Sequence, residues 1–407
     1  MTQIMKGIRV LEVAEHTFVP AASAVLADWG AEVIKIEHAV RGDAMRGLAS
    51  SGVMDLSGQV HALLEHSNRG KQSIGIDLTT DDGVDLAYRL AATCDVFLTN
   101  KPPAVRDKLR IAQADIEAHA PNIIYAAGTA HGAKGPDGNS GGYDMTGFWC
   151  RSGAAFGNTP VDADYPGMQP APAFGDSIGG MTIAGGIAGA LLHRERTGEA
   201  VSVDVSLLGT GMWAMGAGIA LSLVQGQPWS APPASLAAFG NPLVGSFPTA
   251  DDRWLNLTML QAFAYWPDWC ELVGAPELIA DERFATAEDL AANAQAAAAL
   301  VAEHVARHTL AEWTDKLQGF RGQWAPIQNS LEVADDPQAV ANDYVMELET
   351  ADGVAFKLVT APVQFGGEAS PPRRAPDFHE HGDAILTDQL GLDWDTVVDL
   401  KVRGIVA

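Results

Sequence analysis

Apolar and polar positions alternate in short blocks along the first third of the chain, and the period changes from block to block. Residues 7–13 read as a short apolar strand, 20–30 as a helix of small residues closed by Gly30, and 32–37 as a second strand. Strand, helix and strand within about thirty residues form a βαβ unit, whose strands run parallel with a right-handed crossover. Further strands are expected at 73–77, 96–98 and 123–126, with a helix at 79–93 that carries Asp81 and Asp82 in its first turn. The pattern predicts an α/β fold with a doubly wound parallel sheet.

Farther along, residues 178–192 hold no charge and read as a buried helix that begins at the Gly175-Asp176-Ser177 turn and stops at Gly198. A strand at 201–205 precedes an uncharged segment, 205–224, and then a Pro-, Ala- and Gly-rich linker at 228–248. Beyond the linker, a strand at 254–257, a helix around Trp266 and Trp269, and an Ala-rich helix at 285–308 predict a smaller α+β domain, with the tryptophans read as core. The tail offers a strand pair at 345–350 and 356–360 joined at Asp352-Gly353, then a short final helix.

The 205–224 segment is about long enough to span a bilayer. Its Ser206, Gly209, Thr210, Gly211, Gly216, Gly218 and Ser222, with no basic cluster at either flank, predict burial between subunits or domains instead. Composition narrows the partners. A formal charge of −25 opposes binding to nucleic acid or an anionic membrane, so a phosphate-bearing ligand needs a local basic pocket. Cys94, Cys150 and Cys270 are far apart and follow no signal peptide, which predicts a reduced, cytoplasmic setting and no metal site.

No GxGxxG follows the first strand, and Gly70-Lys71-Gln72-Ser73 lacks the upstream glycine of a P-loop, so neither a dinucleotide nor nucleoside triphosphate hydrolysis is indicated. Basic residues cluster at Arg69 and Lys71 and at Lys101, Arg106, Lys108 and Arg110, beside strand ends where open α/β sheets bind ligands. An anion site and a solvated charge run account for them equally well. Asp176 has two readings as well. It is either an N-cap or a functional carboxylate, and the flanking Gly175, Gly179 and Gly180 point to close approach by something bulky, such as a ligand.

Several of these motifs resemble class III coenzyme A transferases. They are Gly7-Ile-Arg-Val-Leu-Glu12, Leu26-Ala-Asp-Trp-Gly-Ala-Glu-Val-Ile-Lys-Ile-Glu37, Gly42-Asp43, Ser73-Ile-Gly-Ile-Asp-Leu78, Gly175-Asp176-Ser177, Gly180-Met181, Arg194-Glu-Arg-Thr-Gly198, Asp335-Asp336-Pro337 and Ala375-Pro-Asp-Phe-His-Glu-His381. The resemblance spans nearly the whole chain. It implies a large Rossmann-like domain built from 1–225 and 324–407, a small domain with its linker at 226–323, and an interlocked homodimer. It also implies that CoA moves from an acyl-CoA donor to a carboxylic acid through an aspartyl-CoA thioester on Asp176, with no tightly bound cofactor.

A carboxylate with an ordinary pKa near 3.9 is ionised at neutral pH and attacks a thioester without a general base. Backbone N–H groups of Gly179 or Gly180 are candidates to face the oxyanion. CoA is expected in the N-terminal half, with Lys71, Asn100 and Lys108 near its phosphates, Arg41 close by, and Thr17 and Tyr143 near the acyl end. The chain departs from the formyl-CoA enzymes at Thr17-Phe18-Val19-Pro20, at Thr99-Asn100-Lys101-Pro102 and at Phe239-Gly240-Asn241-Pro242, which replaces a tetraglycine lid.

An α-methylacyl-CoA racemase resembles the chain as broadly. Gly142-Tyr143-Asp144 carries tyrosine where racemases use histidine, and His131 lies on a separate loop. A catalytically silent CoA-binding subunit is the reading from another class, favoured by the altered Thr17 and Thr99 loops and opposed by Asp176.

Overall fold

The computed structural model describes residues 2–52, 56, 58–231 and 240–407. The chain forms two units. The larger comprises Met1–Asn158, Pro166–Trp229 and Pro337–Ala407; the smaller comprises Thr159–Tyr165 and Ser230–Asp336. Within the expected linker, residues 232–239, including Phe239, lie outside the described residues.

The larger unit is built on six strands: β1 (Arg9–Val13), β2 (Glu32–Glu37), β3 (Gln72–Gly75), β4 (Val96–Thr99), β5 (Ile124–Thr129) and β6 (Val203–Ser206). They lie in the order β3-β2-β1-β4-β5-β6, and every neighbouring pair is parallel. The order reverses direction between β1 and β4. That reversal opens a crevice at the carboxyl ends of these strands. Up to residue 225 the unit's α-helices are α1 (Phe18–Asp28), α2 (Ala62–Asn68), α3 (Asp81–Ala91), α4 (Pro103–Leu109), α5 (Gln113–His119), α6 (Ala154–Gly157), α7 (Phe174–Thr197), α8 (Leu207–Ala214) and α9 (Gly216–Gln225).

Strand side chains alternate between two cores. Val10, Val33, Val96 and Leu98 pack with Phe18, Ala22 and Leu26 of α1 and Ile183 and Ile187 of α7. Leu11, Ile34, Ile74 and Phe97 pack on the other face with Leu86 and Leu90 of α3, Ile116 of α5, and Ile385, Val397 and Ile405 near the C-terminus. Both ends of the chain therefore share one core.

The face toward α1 also holds a buried ionic cluster. Lys35 Nζ lies 2.6 Å from Glu12 Oε1 and 2.7 Å from Asp43 Oδ2, and Lys71 Nζ lies 2.7 Å from Glu12 Oε2. Glu12 and Lys35 sit two positions along their strands from the apolar Val10 and Val33, so the pleat aims them at the same face. Burial would raise the Glu12 carboxyl, but Lys35 and Lys71 overcome it and hold it below the usual range. Burial pushes the Lys71 ammonium down to about 7 against the pull of Glu12. The cluster ties the start of α1 down as well, since Lys71 Nζ donates to Pro20 O at 2.9 Å and Ser23 Oγ donates to Glu12.

The uncharged 205–224 stretch is two helices. α8 and α9 meet at a 69° bend, and among the described residues no single helix is long and apolar enough to cross a membrane.

In the smaller unit, β7 (Val244–Pro248), β8 (Trp254–Thr258) and β9 (Trp324–Pro326) form an antiparallel sheet. Four helices accompany it: α10 (Ala262–Leu272), α11 (Ala287–Ala292), α12 (Ala294–Val305) and α13 (Leu310–Lys316). Trp266, Trp269 and Trp313 are buried in its core with Phe284. The expected helix at 285–308 is interrupted at Asn293, whose amide donates to Arg283 O and Asp289 O and turns the chain. The return to the larger unit comes later than the expected residue 324, because Trp324–Pro326 pairs with β8. In the tail, β10 (Val345–Glu349) and β11 (Ala355–Val359) pair antiparallel.

Candidate active site

A cleft of about 820 Å³ opens in the larger unit and is lined by Glu15 and His16 after β1, Asn100 and Lys101 after β4, and the stretch from Gly128 to His131 at the end of β5. Tyr143, Arg151, Leu207 and Asp176 complete much of the wall. These positions follow from the parallel sheet, which delivers every loop after a strand to one edge. A second cavity of about 200 Å³, lined by His38, Arg41 and Asp77 among others, shares Glu15, Lys101 and Val105 with the cleft.

Asp176 is the third residue of α7, not its N-cap. The N-cap is Ala173, which has no side chain able to bond the free N–H groups. Asp144 does that work from a different element. Its Oδ2 accepts from Gly175 N at 3.1 Å. The result is two carboxylates on one helix start. Burial, and then the Asp144 charge, push the Asp176 carboxyl up to about 7. In the free protein Asp176 is thus about half protonated at neutral pH, and its ordinary value is a poor guide. Beside it, Ser177 Oγ donates to Ala173 O at 2.9 Å and lies 3.0 Å from Nε2 of His66, whose ring burial holds neutral with a pKa of about 4.

The glycines around Asp176 serve helix packing. A Cβ on Gly179 would lie 2.3 Å from Phe18 Cε2, and one on Gly180 would lie 2.7 Å from Ala21 Cβ and 3.0 Å from Phe18 O. A Cβ on Gly175 would lie 2.4 Å from Asp144 Oδ1. What approaches this backbone is α1, the Phe148 ring and a carboxylate, and α1 covers Gly179 and Gly180 where side chains would stand.

The other expected site residues divide. Asn100 and Tyr143 stand on the cleft wall, and Arg41 lines the adjoining cavity, 2.9 Å from Glu15 Oε1. Asn100 also clamps the turn after β1, donating to Glu15 O at 2.6 Å and accepting from Glu15 N at 3.1 Å. Lys108 is exposed on α4 and lines neither cavity. Thr17 is buried; its neighbours His16 and Phe18 form the wall in its place. Lys71 is corrected. Its ammonium is fully buried, and its three protons go to Glu12, Pro20 O and Asn68, so none is left for a phosphate. His131 does reach the cleft.

The sequence reading passed over His16 and Asp144. His16 adopts φ +67°, a left-handed conformation costing a non-glycine residue roughly 1 kcal/mol or more, and its ring meets Tyr143 edge-on at 5.5 Å. Asp144 stood in plain view in the Gly142-Tyr143-Asp144 motif, but only folding shows that it faces Gly175.

Six parallel strands define an α/β fold with a cleft of about 820 Å³ at their carboxyl edge, beside the strand-order reversal. The chain belongs to CoA-transferase family III, whose sequence model matches residues 5–382. It is 27% identical, over 99% of both chains, to (R)-2-hydroxy-4-methylpentanoate CoA-transferase of Clostridioides difficile. It is also 27% identical to succinyl-CoA:glutarate CoA-transferase of Mus musculus, over 99% of this chain and 90% of that protein. Among solved structures, a CAIB/BAIF family protein from Brucella suis superposes with a TM-score of 0.81 at 26% identity, covering 95% of this chain and 100% of the other.

Proposed function

We propose that this family III CoA-transferase moves CoA from an acyl-CoA to a small carboxylic acid, with Asp176 as the nucleophile. The observation that carries the reading is the isolation of Asp176 on the cleft wall. Of the two carboxylates there, Glu15 is committed to Arg41 and Lys101, whereas Asp176 makes no ion pair among the described residues. The Asp176 carboxylate attacks the thioester carbonyl and forms a mixed anhydride as the CoA thiolate leaves. The thiolate then attacks the aspartyl carbonyl, releasing the donor acid and leaving an aspartyl-CoA thioester. The acceptor carboxylate repeats both steps in reverse, and Asp176 is regenerated. Each step exchanges one activated acyl bond for another, so no nucleotide supplies energy. The relatives named for hydroxy-acid and dicarboxylate acceptors support a small acid as acceptor.

CoA enters along the wall that the two cavities share. Arg41 meets its phosphates, with Asn100 and Tyr143 nearer the acyl end; Lys71 and Thr17 act from behind the wall, and Lys108 stands outside it. The strand order supports the Rossmann-like reading of the larger unit. Exposed Trp213, Leu223 and Val224 on α8 and α9, at 87%, 80% and 86% exposure, support a homodimer that covers them. Three unpaired cysteines fit a cytoplasmic setting.

The test is mass spectrometry of the protein after incubation with a panel of acyl-CoAs, with hydroxylamine added to convert an activated Asp176 to its hydroxamate. A hydroxamate on Asp176 supports the reading. No adduct, together with exchange of the substrate α-proton for solvent deuterium, replaces it with racemase chemistry.

A further inference from the structure

We propose that Asp43 is a positioning residue for the cleft: it holds His16 in its left-handed conformation, with the ring against Tyr143, and so sets the wall that a CoA thioester passes on its way to Asp176. The proposal rests on the CoA-transfer reading above. Asp43 itself is fully buried and does not line the cleft.

The argument begins with how the turn between β1 and α1 is held. Asp43 Oδ1 accepts from His16 N at 3.0 Å and from Met45 N at 2.8 Å, while Oδ2 pairs with Lys35 Nζ at 2.7 Å. Lys35 Nζ in turn donates to Ala14 O at 2.9 Å and to Glu12 Oε1 at 2.6 Å. Asn100 grips Glu15 from the opposite side through both its N–H and its carbonyl. Residues 14, 15 and 16 are therefore each bonded through the backbone to a side chain from elsewhere in the fold.

Apolar packing would bury this region at lower cost, because bringing Glu12, Lys35, Glu37, Asp43 and Lys71 into a core means desolvating each of them. Glu37 is held in turn, with Arg46 Nε 2.8 Å from its Oε2 and Asp43 N donating to that same oxygen at 2.7 Å. Directional bonds accomplish what apolar contacts cannot, namely to hold a histidine at φ +67°. A strained residue on a cleft wall, over-determined by buried charges that do not line the cleft, is the signature of positioning.

The test replaces the pair together, Lys35→Met with Asp43→Leu, so that no lone charge stays buried; Asp43→Asn, which keeps an acceptor for His16 N, is the milder companion. Melting temperature establishes that each variant folds. The double variant is expected to lose about tenfold in kcat/KM, to lose less than about threefold when placed in a His16→Gly background, and to shift the His16 ring resonances in the NMR spectrum of the free protein. Glycine takes the left-handed backbone unaided and has no ring to position, so the two losses do not multiply. An undiminished tenfold loss in the glycine background, an unchanged kcat/KM, or His16 resonances at their wild-type positions each overturns the proposal. The resonances are read without substrate, so they judge the coupling even where wild-type protein transfers no CoA, a result that would instead remove the transfer reading.

Discussion

The carboxylate of Asp144 accepts the backbone N–H of Gly175 at 3.1 Å, one residue before Asp176, so the charge that completes the start of α7 also adds to the opposition that burial sets against ionisation of Asp176. Burial causes the larger part of the rise in the Asp176 pKa, and the same Asp144 carboxylate that holds the helix start adds the rest. Asp176 faces the cleft while another carboxylate, and not its own, bonds a free N–H group of the helix start.

Asp176→Asn is expected to abolish CoA transfer and leave the fold intact, with a pH-dependent gain in stability. In the folded protein the Asp176 carboxyl keeps its proton up to about pH 7, whereas its ordinary value is 3.8. Between those values the folded state holds more protons than the unfolded, so wild-type stability falls as pH rises. The asparagine variant escapes this loss. Denaturant melts should show no difference near pH 4 and a gain approaching roughly 4 kcal/mol above pH 7.

Activity should follow the ionised form. We expect kcat/KM for the acyl-CoA to climb with an apparent pKa near 7. Asp144→Asn keeps an oxygen for Gly175 N but removes the opposing charge, so the midpoint should move to lower pH. Burial remains the larger cause and will leave part of the elevation in place. A midpoint that does not move would separate Asp144 from the ionisation of Asp176.

Gly180→Ala should be poorly tolerated, since its methyl would press on Ala21 Cβ and on backbone atoms of Phe18 and Ala22. A loss of about 1–3 kcal/mol is expected from overpacking of this kind. Gly179→Ala instead meets the Phe18 ring, so Phe18→Leu should recover part of the loss. Thermal melts of the three variants measure both effects.

Arg41→Ala should weaken CoA binding and flatten its dependence on salt, because the arginine is half-exposed beside the cavity that adjoins the cleft. Lys71→Met should act differently. It removes a buried partner of Glu12 and is expected to lower stability while the salt slope of CoA binding stays unchanged. Isothermal titration at two salt concentrations distinguishes the two.

Period and punctuation alone located most elements of the larger unit. β1, β2 and β4 appear within a residue or two of their apolar runs, and Gly198 ends α7 at φ +80° as a glycine stop should. Such features are local, determined by side-chain alternation and by conformations open to few residue types. Asp176 was legible for the same reason, as a lone carboxylate within an uncharged run. The partners of these residues were not. Lys71 reads as a loop cation until Glu12, fifty-nine positions away, is brought to 2.7 Å from it. Gly179 and Gly180 read as room for a ligand until α1 is laid against α7. The working ionisation of Asp176 depends on burial and on Asp144, neither of which exists in the extended chain. Spacing along a chain determines which face a residue joins; only the closed fold determines what that face meets and which charges must share one low-dielectric space.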